Sequence, residues 1–331
     1  MIAILKREWK SYFQNITGWL FIAAVLALYG LYFLAYNLRA GYPYVSYTLS
    51  AISFIMLIAV PILTMRSMAE ERHSRTDQLV LTAPVSLGKM IFGKFLAMVG
   101  VFTVAVAVIA VTPLVLAAFG TVPLGENYVA VLGFWLYGCT CIAVGMLASA
   151  LTESQVIAAV VAFAFLFLGY MMNSITGLIG DHLVTKVLGA YDLYTPLQSF
   201  MSGCLDLTGV VYFVSVTGLC LFLPCQCVQK RRWSMTTKKL TTGMFSVAMI
   251  VVGFAVAVAV NLVVKEMPSS WTAVDATSTK LYSLTDTTKD YVKNLSQDVT
   301  IYVLSSEKSA DSTLAETLQR YEDLSKHLKV V

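Results

Sequence analysis

Residues 69–94 read Ala-Glu-Glu-Arg-His-Ser-Arg-Thr-Asp-Gln-Leu-Val-Leu-Thr-Ala-Pro-Val-Ser-Leu-Gly-Lys-Met-Ile-Phe-Gly-Lys. This charged, amphipathic island lies between two apolar runs, 47–65 and 95–119. Each run is close to the ~20 apolar residues a helix needs to cross a bilayer. The island therefore marks a place where the chain leaves one membrane span and enters the next.

The rest of the chain agrees. It is 58% hydrophobic and 13% charged, with a mean hydropathy of +0.74. A soluble domain carries roughly 25% charged residues, so the fold class is an α-helical polytopic membrane protein. Seven spans are expected: 17–36, 47–65, 95–119, 128–150, 155–179, 209–226 and 244–264. The first begins too far in, and is too long, for a cleaved signal peptide.

Orientation follows from positive charge. With the N-terminus inside, the cytoplasmic segments hold Lys6, Arg7 and Lys10; Arg66, Arg72, Arg75, Lys89 and Lys94; and Lys230, Arg231, Arg232, Lys238 and Lys239. The external loops before the last span hold only Arg39 and Lys186. The tail beyond Leu262 is then extracytoplasmic. The net charge of +4 reports this topology and gives no reason to expect nucleic acid.

Residues 1–16 predict an interfacial amphipathic helix. Ile2, Leu5, Trp9, Phe13 and Ile16 recur on one face, and Lys6, Arg7, Lys10 and Gln14 on the other. Pro61 and Pro113 fall inside spans and should kink them. Cys141, Gly145 and Ser149 form a small-residue stripe suited to close helix packing. Leu151–Gln155 is a tight inner turn, and 180–208 is an external segment whose short apolar stretches suit a re-entrant hairpin.

Several chemistries are disfavoured. No Asp, Glu, Lys or Arg lies deep in a span, against the midplane charges of ion-coupled carriers. No phosphate-binding Gly-x-x-x-x-Gly-Lys-Ser/Thr loop occurs. The cysteines and histidines have no metal-ligand spacing, and Cys204 has no external cysteine to pair with. His182 with Asp181 or Asp192 lacks a nucleophile, so no catalytic residues, bound cofactor or metal are expected.

Residues 65–94 resemble the first cytoplasmic loop of type-2 ABC exporter permeases. The matching positions are Met68, Glu70, Glu71, Arg72, Thr76, Val80, Leu81, Pro84, Gly93 and Lys94. Two departures stand out: Arg75 replaces the family's common Gly, and Gln78 replaces an acid. The resemblance implies a non-enzymatic subunit that couples to a separate cytoplasmic ATPase, which holds the ATP and Mg. Glu70, Glu71, Arg72, Arg75, Thr76, Leu81, Pro84, Lys89 and Lys94 would form the coupling site. Leu5, Trp9 and Phe13 would anchor the interfacial helix.

On that reading Arg66–Leu81 extends the second span as a helix exposing Glu70, Glu71, Arg72 and Arg75. Pro84 ends it, and Val85–Phe92 lies crosswise as a coupling helix. The resemblance also implies a dimer of permease subunits, homo- or heterodimeric, with spans one and five at its interface.

Leu197–Phe213, with Arg231-Arg-Trp233, resembles the gliding-motility branch of these permeases. The last span and tail resemble the auxiliary subunit of the same system through Asp275, Thr277, Tyr282, Ser283, Leu284 and Thr288. The expected organisation is thus 1–16 interfacial helix, 17–227 permease, 228–243 basic linker, 244–264 seventh span, and 265–331 a partial α/β extracytoplasmic domain. In the tail, a helix through Leu295 capped by Ser283 or Thr285, a strand at Asp298–Leu304, a second helix along Leu314, Leu318, Tyr321 and Leu324, and a strand from Lys329 are expected. Ending on a nascent strand, this unit reads as truncated. A surface-assembly role without substrate flux is the alternative function.

Overall fold

The computed structural model describes residues 2–76, 86–179, 188–233, 239–265, 267, 273–275, 286–295 and 297–304, and scattered positions from 314 to 330. Over 230–233, 239–247 and 273–275, and at 286, 287, 289 and 293, only the backbone is described.

Helix α1 (Ile2–Gln14) ends at Asn15, and α2 (Ile16–Phe33) begins at once. Ile16 therefore starts the first span, where it is exposed, rather than closing the amphipathic helix. A π-helical turn, Leu34–Arg39, finishes that span. There follow α3 (Ser46–Thr64), α4 (Arg66–His73), α5 (Leu87–Ile109), α6 (Thr112–Ala117), α7 (Leu124–Leu151) and α8 (Gln155–Leu178). A 3₁₀ turn (Gly189–Tyr191), α9 (Tyr194–Met201) and β1 (Cys204–Asp206) lead into α10 (Leu207–Trp233) and α11 (Lys239–Lys265). The tail contributes β2 (Ala273–Asp275), α12 (Asp286–Lys293), β3 (Val299–Ile301) and β4 (Leu328–Val330).

The described residues include seven helices long and apolar enough to cross a membrane. Their positions follow the seven apolar runs, because runs of that length can satisfy their backbone groups in lipid only as helices. The third is interrupted. Helix α5 ends at Ile109, and Pro113 sits in the first turn of a separate α6. A proline lacks an N–H, and the first turn of a helix does not require one. Pro113 thus begins a helix instead of kinking one. Pro61 does lie inside α3.

Helix α7 is the axis of the bundle. It packs against α3, α5, α8, α9 and α10, and most of its residues are buried. Phe102, Phe134, Tyr137 and Phe213 fill the centre around it. The re-entrant expectation for 180–208 corresponds, in its described part, to α9. Leu197 and Phe200 of α9 are fully buried at the end of the bundle opposite α1. Close approach there depends on glycine: a Cβ on Gly133 would stand 2.3 Å from that of Phe200. Asp192 starts α9 by accepting from the Tyr194 and Thr195 N–H groups at 3.0 and 3.1 Å. This is an N-cap, which gives Asp192 a structural role. His182 and Asp181 lie outside the described residues.

Two buried asparagines fix the loop between the first two spans. The Asn37 amide donates to the carbonyls of Tyr42 and Tyr44 at 2.8 and 3.1 Å. Asn127 accepts from the Val45 N–H at 2.7 Å and donates to the Pro43 carbonyl at 3.1 Å.

Strand β1, directly before α10, pairs antiparallel with β2 of the tail, and within the tail β3 pairs parallel with β4. The expected strands at 298–304 and from 329 are thus present as β3 and β4, shorter in the first case. The caps at Ser283 or Thr285 lie outside the described residues, as do 234–238 of the linker.

Candidate functional site

The site begins where α3 gives way to α4, at Met65. The Ser149 hydroxyl, reaching across from α7, accepts from the N–H groups of Met68 and Ala69 at 3.1 and 3.0 Å. It donates to the Met65 carbonyl at 3.0 Å. A hydroxyl inserted into the hydrogen-bond ladder separates the two helices while leaving their polar groups satisfied. One turn away, a Cβ on Gly145 would be 2.2 Å from Thr64 Oγ1. The small-residue stripe is therefore the seam that receives α3 and α4.

Helix α4 carries the charges, and they point in different directions. Arg66 and Glu70 form a two-point pair at 2.8 and 2.9 Å on the outer side. Glu71 turns inward, 2.6 Å from Lys94 Nζ and 3.5 Å from the Arg7 guanidinium. Lys94 is 3% exposed and also donates to the Ser67 carbonyl at 2.6 Å. Arg72 reaches the end of α7 and the turn after it, donating to the Ala150 carbonyl at 3.2 Å and to Glu153 at 3.0 Å.

These pairs correct the expectation of four exposed charges. Glu71 and Arg72 tie α4 to α1, α5 and the α7–α8 turn. Glu70 is half-exposed, and only Arg75 is fully presented. Burial explains the difference, since a buried ammonium such as Lys94 is tolerated only with a partner.

The helix is also shorter than expected. It ends at His73, and Arg75 has a left-handed φ of 57°. That conformation terminates helices and favours glycine, which is the residue the resemblance led us to expect at this position. Leu81 and Pro84 lie outside the described residues. From Leu87 the chain is already in α5, which runs unbroken to Ile109. Residues 87–92 thus form its first turns and no separate crosswise helix. Met90, Ile91, Lys94 and Phe95 share its buried face, which favours continuity. Lys89, Arg75, Thr76 and His73 remain exposed at this basic end.

Helix α1 completes the arrangement by packing on α5 and α2. Its Trp9 ring covers Gly100, where a Cβ would come within 1.8 Å of the ring. Phe13 lies between Trp9 and Trp19, tilted against the first and edge-on to the second, with centroids 5.1 and 5.3 Å away. Leu5 and Trp9, with Lys6 and Leu96, line a mostly apolar groove of about 380 Å³. The hydrogen bond to Glu8 raises the pKa of Arg7, with Glu71 adding to the effect and burial opposing it. Burial, reinforced by Glu8, holds the Tyr12 hydroxyl above its usual range.

The sequence reading brought the 1–16 helix and the 151–155 turn to this site but did not single out Arg7, Ser149 and Glu153 as the partners of α4. Their signals were a basic residue on α1, a small residue in a stripe and an acid in a turn, each of which has a simpler explanation on its own. No group of His, Cys, Asp and Glu among the described residues could hold a metal ion.

Residues 41–228, more than half the chain, match the family model described as ABC-2 family transporter protein. The chain belongs to the ABC-2 transporter family. As an ABC-2 permease it is the membrane component of an ABC transporter, a class that is generally non-catalytic and works with a partner ATP-binding subunit. The matched region of the permease contains α4, α5 and the Ser149 seam. Residues 278–331 match a domain of unknown function, DUF7088. A comparison with curated proteins gave no match. Of the proposed auxiliary motif, Asp275 closes β2 and Thr288 lies half-buried in α12. Thr277, Tyr282, Ser283 and Leu284 lie outside the described residues.

Proposed function

We propose that this permease couples ATP hydrolysis by a separate cytoplasmic ATPase to substrate export, and that its basic end receives the ATPase. One observation carries the reading. Glu71 binds α4 to α5 through its largely buried pair with Lys94, and Glu71 and Arg72 reach α1 and the α7–α8 turn through pairs with the exposed Arg7 and Glu153. A push on the exposed residues of this end would therefore reach four helices together. The docking residues are Arg75, Thr76 and Lys89, with Glu70 at the edge and Leu81 and Pro84 contributed by the intervening segment. Glu71, Arg72 and Lys94 hold the platform.

On this reading the excess of Lys and Arg at this end faces the cytoplasm, and the membrane would be a bacterial plasma membrane. The tail is then extracytoplasmic, and its resemblance to an auxiliary subunit of the gliding-motility-like branch would make it that subunit's counterpart. Two permease halves, identical or not, would enclose the pathway.

The test is co-purification in detergent with the ATP-binding subunit encoded beside this chain. Wild type is compared with an Arg75→Glu/Lys89→Glu double variant, since both residues are exposed. Retention by wild type and loss in the well-folded variant is expected. Equal retention by both would remove these residues from the interface, and no retention by wild type would remove the ATPase partner.

A second reading has one observation in its favour. Strand β2 pairs with β1, directly before α10, so movement in the bundle could act on the external domain without any molecule crossing. ATP-dependent flux in proteoliposomes separates the two.

A further inference from the structure

The two matched regions, 41–228 and 278–331, leave α11 and β2 between them, assigned to neither. We infer that α10 and β1 form a docking face for α11 and β2, and that this contact, not the connecting segment 234–238, holds the two regions together.

Three independent contacts support it. Within the membrane-spanning part, Asn261 Nδ2 donates to Ser215 Oγ at 2.7 Å and to the Ala257 carbonyl at 2.8 Å. Ser215 in turn donates to the Tyr212 carbonyl at 2.9 Å, so the hydroxyl is fixed to receive the amide. Two turns along α11, Gly253 faces α10, where its Cβ would meet Phe222 at 3.1 Å. Beyond the helices, β1 and β2 pair antiparallel, with Cys204 opposite Asp275, Leu205 opposite Val274 and Asp206 opposite Ala273.

Lipid chains are as apolar as valine, so burial gives two membrane helices little reason to associate. Small residues and interhelical hydrogen bonds are what select a partner there. Helix α11 fits that description. Val251, Val252, Val256, Val258 and Val263 are all exposed and suited to lipid, while its asparagine and a glycine face α10. The strand pair adds direction, since Asp206 both ends β1 and accepts from the Thr208 N–H at 2.9 Å in the first turn of α10. Docking would therefore make β2 follow any movement of α10.

The experiment uses the full chain with a site-specific protease sequence placed within 234–238 and a tag at each end. The purified protein is cut in detergent after folding. The C-terminal fragment should remain bound through size-exclusion chromatography and be captured by the N-terminal tag. Asn261→Leu should lower the retained fraction at least threefold, and Asn261→Gln, which keeps the amide, should lower it less.

A second measurement introduces Leu205→Cys and Val274→Cys in a Cys204→Ser background. Oxidation should give a cross-link within one chain that keeps the fragments joined after cutting. Separation of the wild-type fragments on cutting would overturn the proposal, and so would a cross-link formed only between two chains. Equal retention by wild type and Asn261→Leu would overturn the role given to the amide contact.

Discussion

Lys94 Nζ lies 2.6 Å from a Glu71 carboxylate oxygen and 2.6 Å from the Ser67 carbonyl, at the start of a membrane-spanning helix. Sequence alone places both charges in the same loop but does not join them. Removing one partner of a buried pair leaves an uncompensated charge and destabilises by roughly 3–5 kcal/mol. Arg7, 3.5 Å from the same carboxylate, should soften the loss. Lys94→Met should therefore lower the thermal midpoint in detergent clearly, and adding Glu71→Gln should restore much of it. A Lys94→Met protein as stable as wild type would mean that the pair is not buried.

The Ser149 hydroxyl makes three backbone contacts at the α3–α4 break. Ser149→Ala leaves two N–H groups and a carbonyl to find other partners in a buried seam. An unsatisfied buried group costs ~1–3 kcal/mol, so the variant should lose about that much stability by thermal unfolding. Faster proteolysis between residues 76 and 86 should accompany the loss. An unchanged midpoint would show that α3 and α4 close into one regular helix without the hydroxyl.

The spans were legible in the sequence because hydropathy acts locally: each run must form a helix wherever its neighbours lie. Pro113 was harder. Its ring restricts the local backbone in the same way at the start of a helix as inside one, and only the turn at Ala110–Val111 distinguishes the two cases. The candidate site was half-legible for a different reason. Glu70, Glu71 and Arg72 are consecutive, so on a helix they face three directions. Which one turns inward depends on Lys94, twenty-three residues later, and on Arg7, from another helix. Asn37, Asn127 and Asn261 gave no periodic signal, and their roles come from partners distant in sequence.

Arg75 occupies a left-handed position with φ 57°. An L side chain there costs ~1–2 kcal/mol, against which glycine's greater freedom in the unfolded chain offsets ~0.5–1 kcal/mol. Arg75→Gly should therefore stabilise the permease slightly, by up to ~1 kcal/mol, while Arg75→Ala should not. Differential scanning measurements on the three proteins would check this. A destabilised glycine variant would mean that the arginine side chain contributes contacts outweighing its backbone strain.

Trp9 and Gly100 are matched in shape, and the match is what seats α1 on the bundle. A Cβ at position 100 would fall 1.8 Å from the Trp9 ring, well inside any tolerable contact. Gly100→Ala must displace the indole, and overpacking of this kind costs ~1–3 kcal/mol. Trp9→Leu removes the obstacle but also the packing, so each single change should destabilise. Together they should cost less than their sum, since the alanine then meets no ring. With Trp19, Trp135, Trp233 and Trp271 replaced by Phe, Trp9 fluorescence adds a local readout: in Gly100→Ala it should shift as the indole leaves its seat, and α1 should become easier to cleave. Additive losses in the double variant, with unchanged fluorescence in Gly100→Ala, would show that α1 is held elsewhere, through Arg7 and through the Tyr12 hydroxyl, which donates to the Leu63 carbonyl at 3.5 Å, rather than through Trp9.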